Sequence, residues 1–505
     1  MENKKTQKGF LGAIEKLGNM LPHPIYIFMI LAVIVMVISA LMSGTSVVHP
    51  GTGETESIKS LLSAEGLVWI FDNVVKNFIN FPPLGMVLVM MIGLGLAEET
   101  GLLRTFLRKT IVGAPKTLVT FIVVFSGILG NIAGSATFVV IPPLGGLIFK
   151  ALGRNPIAGI AGGFAGVAAG LSANLLVTPT DVLLAGITEK AAQIIDPSAV
   201  VHPAVNWFFM IASTFVLSLV GTVVIEKIVE PRLGKYDPKD SEDSDEDQKL
   251  MEITPIENKG LRNAGIATVL YILAIAAITV PANAPLRNPE TGGLIPSPFL
   301  SSMIMILLLW FIVIALAYGI TVGTIKNTGD VEKHMTNSMK GFASFIVLCF
   351  FAAQFVEFFS YSNLGLLLSV KGAEFFSSAG ISGIPLVVGF IAFVTCINFL
   401  MGSSSAKWAL LAPIFIPMFM QLGMNPAYTQ AAYRIADSVT NCVSPLEPFL
   451  PFIIICCQKY NKKAGLGTVI SAMMPIAVAF LLSWTLLLIV WTVFNLPLGP
   501  GVYIK

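Results

Sequence analysis

Gly130-Asn131-Ile132-Ala133-Gly134-Ser135-Ala136-Thr137 is a run of small and polar residues between two apolar stretches, Leu118 to Leu129 and Phe138 to Phe149. Each stretch is short for a bilayer crossing, which takes about 20 apolar residues as helix. Lys116 precedes the pair, and Lys150 and Arg154 follow it. Lys and Arg mark the cytoplasmic side of a membrane protein, so both ends are expected there. The stretch therefore predicts a re-entrant hairpin. Irregular backbone at membrane depth is tolerated only inside protein or beside a wet cavity.

The rest of the chain supplies the membrane. Of 505 residues, 55% are hydrophobic and 12% charged, against about 25% charged in a soluble domain. Mean hydropathy is +0.81. Runs such as Ile25 to Ala40, Met303 to Ala317 and Met473 to Val493 fit transmembrane helices, not the alternating strands of a barrel. The net charge of +2 leaves no nucleic-acid footprint. Cys349, Cys396, Cys442, Cys456 and Cys457 lie in apolar runs without metal-ligand spacing, as small buried hydrophobes do. His23, His49, His202 and His334 fall in loops or at helix edges, which argues against a histidine proton relay. Lys4, Lys5, Lys8 and Lys16 precede the apolar stretch Pro24 to Ser43. It is too long for a cleaved leader and reads as the first span.

Following basic residues along the chain gives the topology. A span near Val68 to Ala97 ends at Arg104, Arg108 and Lys109, inside. After the first hairpin come spans Ile157 to Ile187 and Trp207 to Ile225, a charged loop, Ala264 to Val280, Phe299 to Val322, an inside loop with Lys326, Lys333 and Lys340, and Phe342 to about Val370. Ile384 to Leu400 and Trp408 to Met420 flank Met401-Gly402-Ser403-Ser404-Ser405 and form a second hairpin, opening outward. Spans Thr429 to Cys457 and Val469 to Val493 complete the chain. The expected fold is an all-α polytopic membrane protein with nine transmembrane helices and two re-entrant helical hairpins in an inverted repeat. The expected division is a cytoplasmic N-terminal segment (1–23), a first membrane half (24–229) with hairpin 1 at about 117–150, a charged cytoplasmic linker (230–262), and a second half (263–505) with hairpin 2 at about 384–421. The acidic run Ser241 to Asp247 reads as a disordered part of that linker.

The repeat is visible as an ordered pattern. Asn131, Gly134-Ser135, Gly153-Arg154-Asn155-Pro156, Asn174 and Thr178-Pro179-Thr180-Asp181 are matched by Asn398, Gly402-Ser403, Gly423-Met424-Asn425-Pro426, Asn441 and Ser444-Pro445-Leu446-Glu447. The charge bookkeeping places the copies in opposite orientation. Inverted repeats with interrupted helices characterise secondary transporters, with the site where the breaks meet.

Ionisable residues in membrane spans usually face a cavity or one another. Arg434 and Asp437 are spaced i, i+3 and share a helical face. Arg434 suits a substrate carboxylate, with Asp437 orienting it or taking a proton; a structural ion pair is the plainer alternative. Asp181 is the sole ionisable residue of its interrupted segment. Pro179 frees carbonyls nearby, so the carboxylate suits a proton carrier or, with Thr178 and Thr180, a sodium ligand. Glu447 holds the matching place in the other repeat. Asn131, Ser135, Thr137, Ser403, Ser404 and Ser405 at the hairpin tips offer hydroxyls, amides and half-helix N-termini to an ion or a solute; tight turns need such residues too. Asn441 joins Ser403 and Ser405 as a solute-binding candidate. Trp408 suits stacking on an aromatic ring or plain packing, and Lys407 is expected to snorkel. Glu98 and Glu99 read as solvated, and Glu357 as a weaker candidate. There is no nucleotide-binding loop, no His-Glu zinc motif and no Gly-x-Ser-x-Gly elbow, so no catalytic residue, cofactor or ATP coupling is expected.

These motifs resemble the p-aminobenzoyl-glutamate transporter (AbgT) family. The stretches that carry the resemblance are Asn80-Phe81-Pro82-Pro83-Leu84-Gly85, Gly93-Leu94-Gly95-Leu96-Ala97-Glu98, Asn131 to Pro143, Thr178 to Asp181, Gly402 to Trp408, and Ala432 to Pro451. The resemblance implies a bowl-shaped homodimer in the inner membrane and an ion-gradient-driven carrier of p-aminobenzoyl-glutamate, a folate catabolite. Some members are linked instead to export of sulfonamide antimetabolites. It implies functional roles for Asp181, Ser405, Trp408, Pro426, Arg434, Asp437 and Pro445; Pro179, Pro426 and Pro445 are read as helix breaks. The direction of transport and the choice between H+ and Na+ stay open. An anion channel is the competing class.

Overall fold

The computed structural model describes residues 22, 24–50, 52–134, 136–234, 236, 252–295 and 297–504. The expectations for Ser135, the basic N-terminus and the acidic run at 241–247 fall outside the described residues.

The chain is helical, as expected. The helices, in order, are α1 (Pro24–Leu41), α2 (Ala64–Ile79), α3 (Pro82–Glu99), α4 (Leu102–Val112), α5 (Val119–Gly130), α6 (Ala136–Ala151), α7 (Pro156–Phe164), α8 (Pro179–Ala192), α9 (Trp207–Val224) and α10 (Pro255–Ala277). They continue as α11 (Met303–Val322), α12 (Thr328–Lys340), α13 (Ala343–Tyr361), α14 (Leu364–Ser378), α15 (Gly383–Asn398), α16 (Ser404–Gln421), α17 (Pro426–Val439), α18 (Leu450–Gln458) and α19 (Leu466–Val493). Among the described residues a two-stranded antiparallel ribbon, Ser46–Val48 with Thr55–Ser57, is added to the all-helical expectation. Among the described residues, eight helices are long and apolar enough to cross a membrane.

Several spans differ from their expected form. The second is two helices, because Pro82 at the start of α3 carries no amide hydrogen to continue α2. The seventh breaks at Asn363, whose φ of 61° lies in the left-handed region. The loop with Lys326, Lys333 and Lys340 is the helix α12, because Asn327 and Asp330 close a capping box at its start. A second such box, Thr254 with Glu257, starts α10 inside the stretch read as linker.

Both stretches expected to be hairpins are helix–turn–helix units, α5–α6 and α15–α16, and each is followed by an interrupted helix pair. After α7 come a π-helical turn, Ala165–Ala169, and an irregular stretch up to Thr178 before α8. After α17 the chain is irregular from Thr440 to Phe449 before α18. The two copies share their local devices. Gly153 (φ 72°) and Gly423 (φ 78°) end the second hairpin arms in the left-handed conformation. Asn155 and Asn425 then cap the next helix through Ile157 N and Ala427 N, with proline at the first helical position, where its missing amide does no harm. Pro426 therefore opens α17 instead of interrupting a span, and Pro179 likewise opens α8. Pro445 lies in the turn of the second break.

Two apolar cores result. The smaller joins α3, α10 and α11. The larger holds the hairpins, the interrupted helices, α9 and α19. In it α6 and α7 pack so closely that a Cβ at Gly145 or Gly159 would meet the other's carbonyl oxygen at 2.5 or 2.2 Å, the small-residue packing of membrane helices.

Candidate functional site

The tips of both hairpins reach the breaks that follow them. Asn131 Nδ2 donates to Ile128 O at 3.1 Å and to Gly170 O, in the first break, at 3.5 Å. Asn398 Nδ2 faces Asp437 O and Thr440 Oγ1, both at 2.8 Å, and Asn441 Oδ1 at 2.9 Å, at the second break. Carbonyls freed where a helix stops need donors, and the hairpin asparagines supply them.

Two buried ion pairs tie these parts together. Asp181 is the third residue of α8. Its Oδ2 accepts from Thr178 N and Thr178 Oγ1, both at 2.6 Å, in a capping box. Its Oδ1 accepts from Arg434 Nη1, and Arg434 Nη2 donates to Ser172 O at 2.7 Å. The expectation of an isolated carboxylate at Asp181 is therefore replaced by a guanidinium from the other repeat. Arg434 and Asp437 share a helix but not a bond. Asp437 Oδ1 instead receives Lys407 Nζ at 2.6 Å, and that ammonium also bonds Asn398 Oδ1. Lys407 is fully buried and does not snorkel, because a carboxylate and an amide oxygen lie within its reach.

Trp408 is fully buried too. Its ring lies 4.3 Å from that of Tyr433, and its Nε1 donates to Thr188 Oγ1 at 2.9 Å. The chain continues from Thr188 Oγ1 to Gln430 Oε1 (2.7 Å), and from Gln430 Nε2 to Asn206 Oδ1 (2.9 Å). Tyr433 OH donates to Ser404 O at 2.6 Å and lies 3.2 Å from Asp437 Oδ1. Hairpin 2 is thus bonded to both α8 and α17.

Ser403, Ser405, Asn441 and Glu447 line one cavity of about 610 Å³, with Ser444 and the starts of α1 and α13. Ser403 caps α16 by accepting from Ala406 N, so the positive end of that helix faces the cavity. Glu447 is its only charged lining residue among those described. Arg434, Asp437, Trp408, Thr178 and Asp181 are buried outside that lining, and Asn131 belongs to hairpin 1. Among the described residues no cluster of His, Cys, Asp and Glu could hold a metal ion.

Sequence reasoning did not single out Asn398, Tyr433, Thr188, Gln430, Ser172 or Asn174 as site residues. Asn174 is buried in the first break with neither amide atom satisfied, and the Ser172 hydroxyl and Arg434 Nε are also unpartnered. Their place in the repeat pattern was the available signal for Asn398 and Asn174.

The sequence model of the AbgT putative transporter family matches residues 9–505. The chain is 41% identical over 501 residues to the p-aminobenzoyl-glutamate transport protein of Escherichia coli (strain K12), covering 99% of this chain and 97% of that one. It superimposes on the YdaH transporter of Alcanivorax borkumensis with a TM-score of 0.90 at 40% identity, covering 95% of this chain and 100% of that one. The TM-score is 0.93, at 44% identity, for MtrF of Neisseria gonorrhoeae, a structure that illuminates a class of antimetabolite efflux pumps; coverage is 98% of this chain and 100% of that one. A family match over nearly the whole chain, on a fold shared end to end with two solved relatives, makes this multi-pass membrane protein a member of the AbgT putative transporter family.

Proposed function

We propose that the chain is a secondary transporter that moves p-aminobenzoyl-glutamate across the inner membrane, driven by a proton or sodium gradient. The observation that carries the reading is the cavity between the tip of hairpin 2 and the second break, supported by the transport named for the Escherichia coli relative. A solute carboxylate is held by the N-terminus of α16 with the hydroxyls of Ser403 and Ser405 and the amide of Asn441. Glu447 lies in the same cavity, and its charge opposes an anionic solute. A proton or Na+ bound there removes the opposition, so ion and solute favour each other's binding, which is the thermodynamic content of symport.

Asp181 and Thr178 then hold the repeats together through Arg434, while Arg434 Nε and the free Asn174 and Ser172 groups offer further contacts when the breaks move. In this reading the chain has nine spans and two re-entrant hairpins, a cytoplasmic N-terminus, an extracytoplasmic C-terminus, no cofactor, no catalytic step and a homodimeric assembly. A second reading, proton-driven export of sulfonamide antimetabolites, is supported by the likeness to MtrF.

Proteoliposomes test the two. Labelled p-aminobenzoyl-glutamate is offered under an imposed pH or sodium gradient, with wild type and Asp181→Ala. Saturable accumulation under one gradient, lost in the variant, is the expected result. No accumulation under either, with labelled sulfonamide moving, would replace uptake by export.

A further inference from the structure

A second cavity, of about 780 Å³, lies between α4, α10, α11, the tip of hairpin 1 and the first break. Its inner end is apolar, with Leu129, Leu175 and Trp310 among the lining. Among the described residues the charged ones that line it are both cationic, Lys109 of α4 and Arg262 of α10. They share one end of the groove, because Arg108, next to Lys109, pairs with Glu257 in the first turn of α10 at 2.5 Å. Neither the Lys109 nor the Arg262 side chain has a hydrogen bond or ion pair among the described residues.

Gly265 keeps the groove open at α10. A glycine inside a helix costs roughly 0.5–1 kcal/mol relative to alanine. Gly260 on the same helix is explained by packing, since a Cβ there would meet Val322 and Tyr318 within 3 Å. Gly265 lines the groove, and a Cβ there would meet nothing within 4 Å. No close protein contact accounts for it, and the open space beside it leaves the groove wide at that point.

We propose that this groove holds one anionic phospholipid, its phosphate between Lys109 and Arg262 and its acyl chains against Trp310 and the tip of hairpin 1. Basic pockets between membrane helices at the cytoplasmic side take anionic headgroups, and the cationic rim selects against a zwitterionic lipid. Because the groove borders hairpin 1 and the first break, the lipid stands where either would have to move.

Native mass spectrometry of the full-length protein tests this after exchange into detergent with phosphatidylglycerol or phosphatidylcholine. Wild type is expected to retain one phosphatidylglycerol per chain and at least tenfold less phosphatidylcholine. Lys109→Gln with Arg262→Gln abolishes the preference, and Gly265→Leu, which fills open space, abolishes retention with melting temperature unchanged in phosphatidylcholine. Equal retention of the two lipids by wild type, wild-type retention by both variants, or displacement of the lipid by p-aminobenzoyl-glutamate overturns the proposal.

Discussion

Arg434 of α17 and Asp181 of α8 lie 253 residues apart in the chain and meet as a buried ion pair between the two repeats. The guanidinium also holds Ser172 O, so a single side chain bonds both a carbonyl of the opposite break and the first helical turn that follows it. Lys407 and Asp437 form a second buried pair within the second repeat. Between them, the two pairs satisfy four charges in the apolar interior, where an unpaired charge is very costly.

Removing one partner of such a pair leaves an uncompensated charge and costs about 3–5 kcal/mol. Arg434→Ala and Asp181→Asn are each expected to lower the melting temperature of the detergent-purified protein markedly. Arg434→Met with Asp181→Leu should regain most of that loss. Uptake of p-aminobenzoyl-glutamate and transport of a sulfonamide should fall together in Arg434→Ala, since the guanidinium is engaged by protein. A selective loss of the glutamate conjugate would instead return Arg434 to the solute-carboxylate role.

Trp408 is a second place where packing and solute contact separate. Trp408→Phe removes the bond to Thr188 and keeps a ring against Tyr433. The cost should be about 0.5–1.5 kcal/mol of stability, the net worth of a hydrogen bond, with solute affinity within twofold of wild type. A tenfold weakening of binding, measured by titration calorimetry, would put the indole against the solute.

How much of this was legible in the sequence depends on the range of the interaction. The two hairpin regions, the breaks and their repetition were readable because small residues, prolines and basic loops act locally. Asn155 and Asn425 cap their helices within two residues, so the Gly-x-Asn-Pro pattern could be recognised. Pairings across the repeats were not readable. Arg434 and Asp437 share a helical face, yet the partner of each comes from an element that only folding brings near. The helix α12 was missed because its lysines mark a loop by charge, while Asn327 and Asp330 start a helix by hydrogen bonding. Lys407 read as a snorkelling side chain because nothing local shows that Asp437 and Asn398 face it.

The shared turn of the two repeats predicts matched costs. Gly153 and Gly423 both have positive φ, and a Cβ at either would meet nothing within 4 Å. Alanine therefore adds backbone strain alone, roughly 1–2 kcal/mol for a left-handed residue. Gly153→Ala and Gly423→Ala should lower thermal stability by similar amounts. A neutral result at one site would mean that its turn relaxes and that the repeats differ there.

In the proposed scheme Glu447 carries the ion coupling. It matches Asp181 in the repeat pattern of the sequence, but Asp181 is engaged by Arg434, whereas Glu447 lines the cavity at the hairpin 2 tip with no cation beside it among the described lining residues. Among the described residues its side chain accepts one hydrogen bond, from Phe449 N at 3.4 Å, two residues along the same turn. Glu447→Gln keeps the shape and fixes the side chain neutral, as a bound proton would. Solute then binds without waiting for an ion, so exchange of labelled for unlabelled solute across proteoliposomes without a gradient should continue near the wild-type rate. Gradient-driven accumulation should fall at least tenfold, because the variant no longer links ion movement to solute movement. Asp181→Asn should depress exchange and accumulation alike, through the broken pair. If Glu447→Gln accumulates solute as wild type does, the coupling ion binds elsewhere, and the unpartnered amide of Asn174 in the first break becomes the next group to substitute.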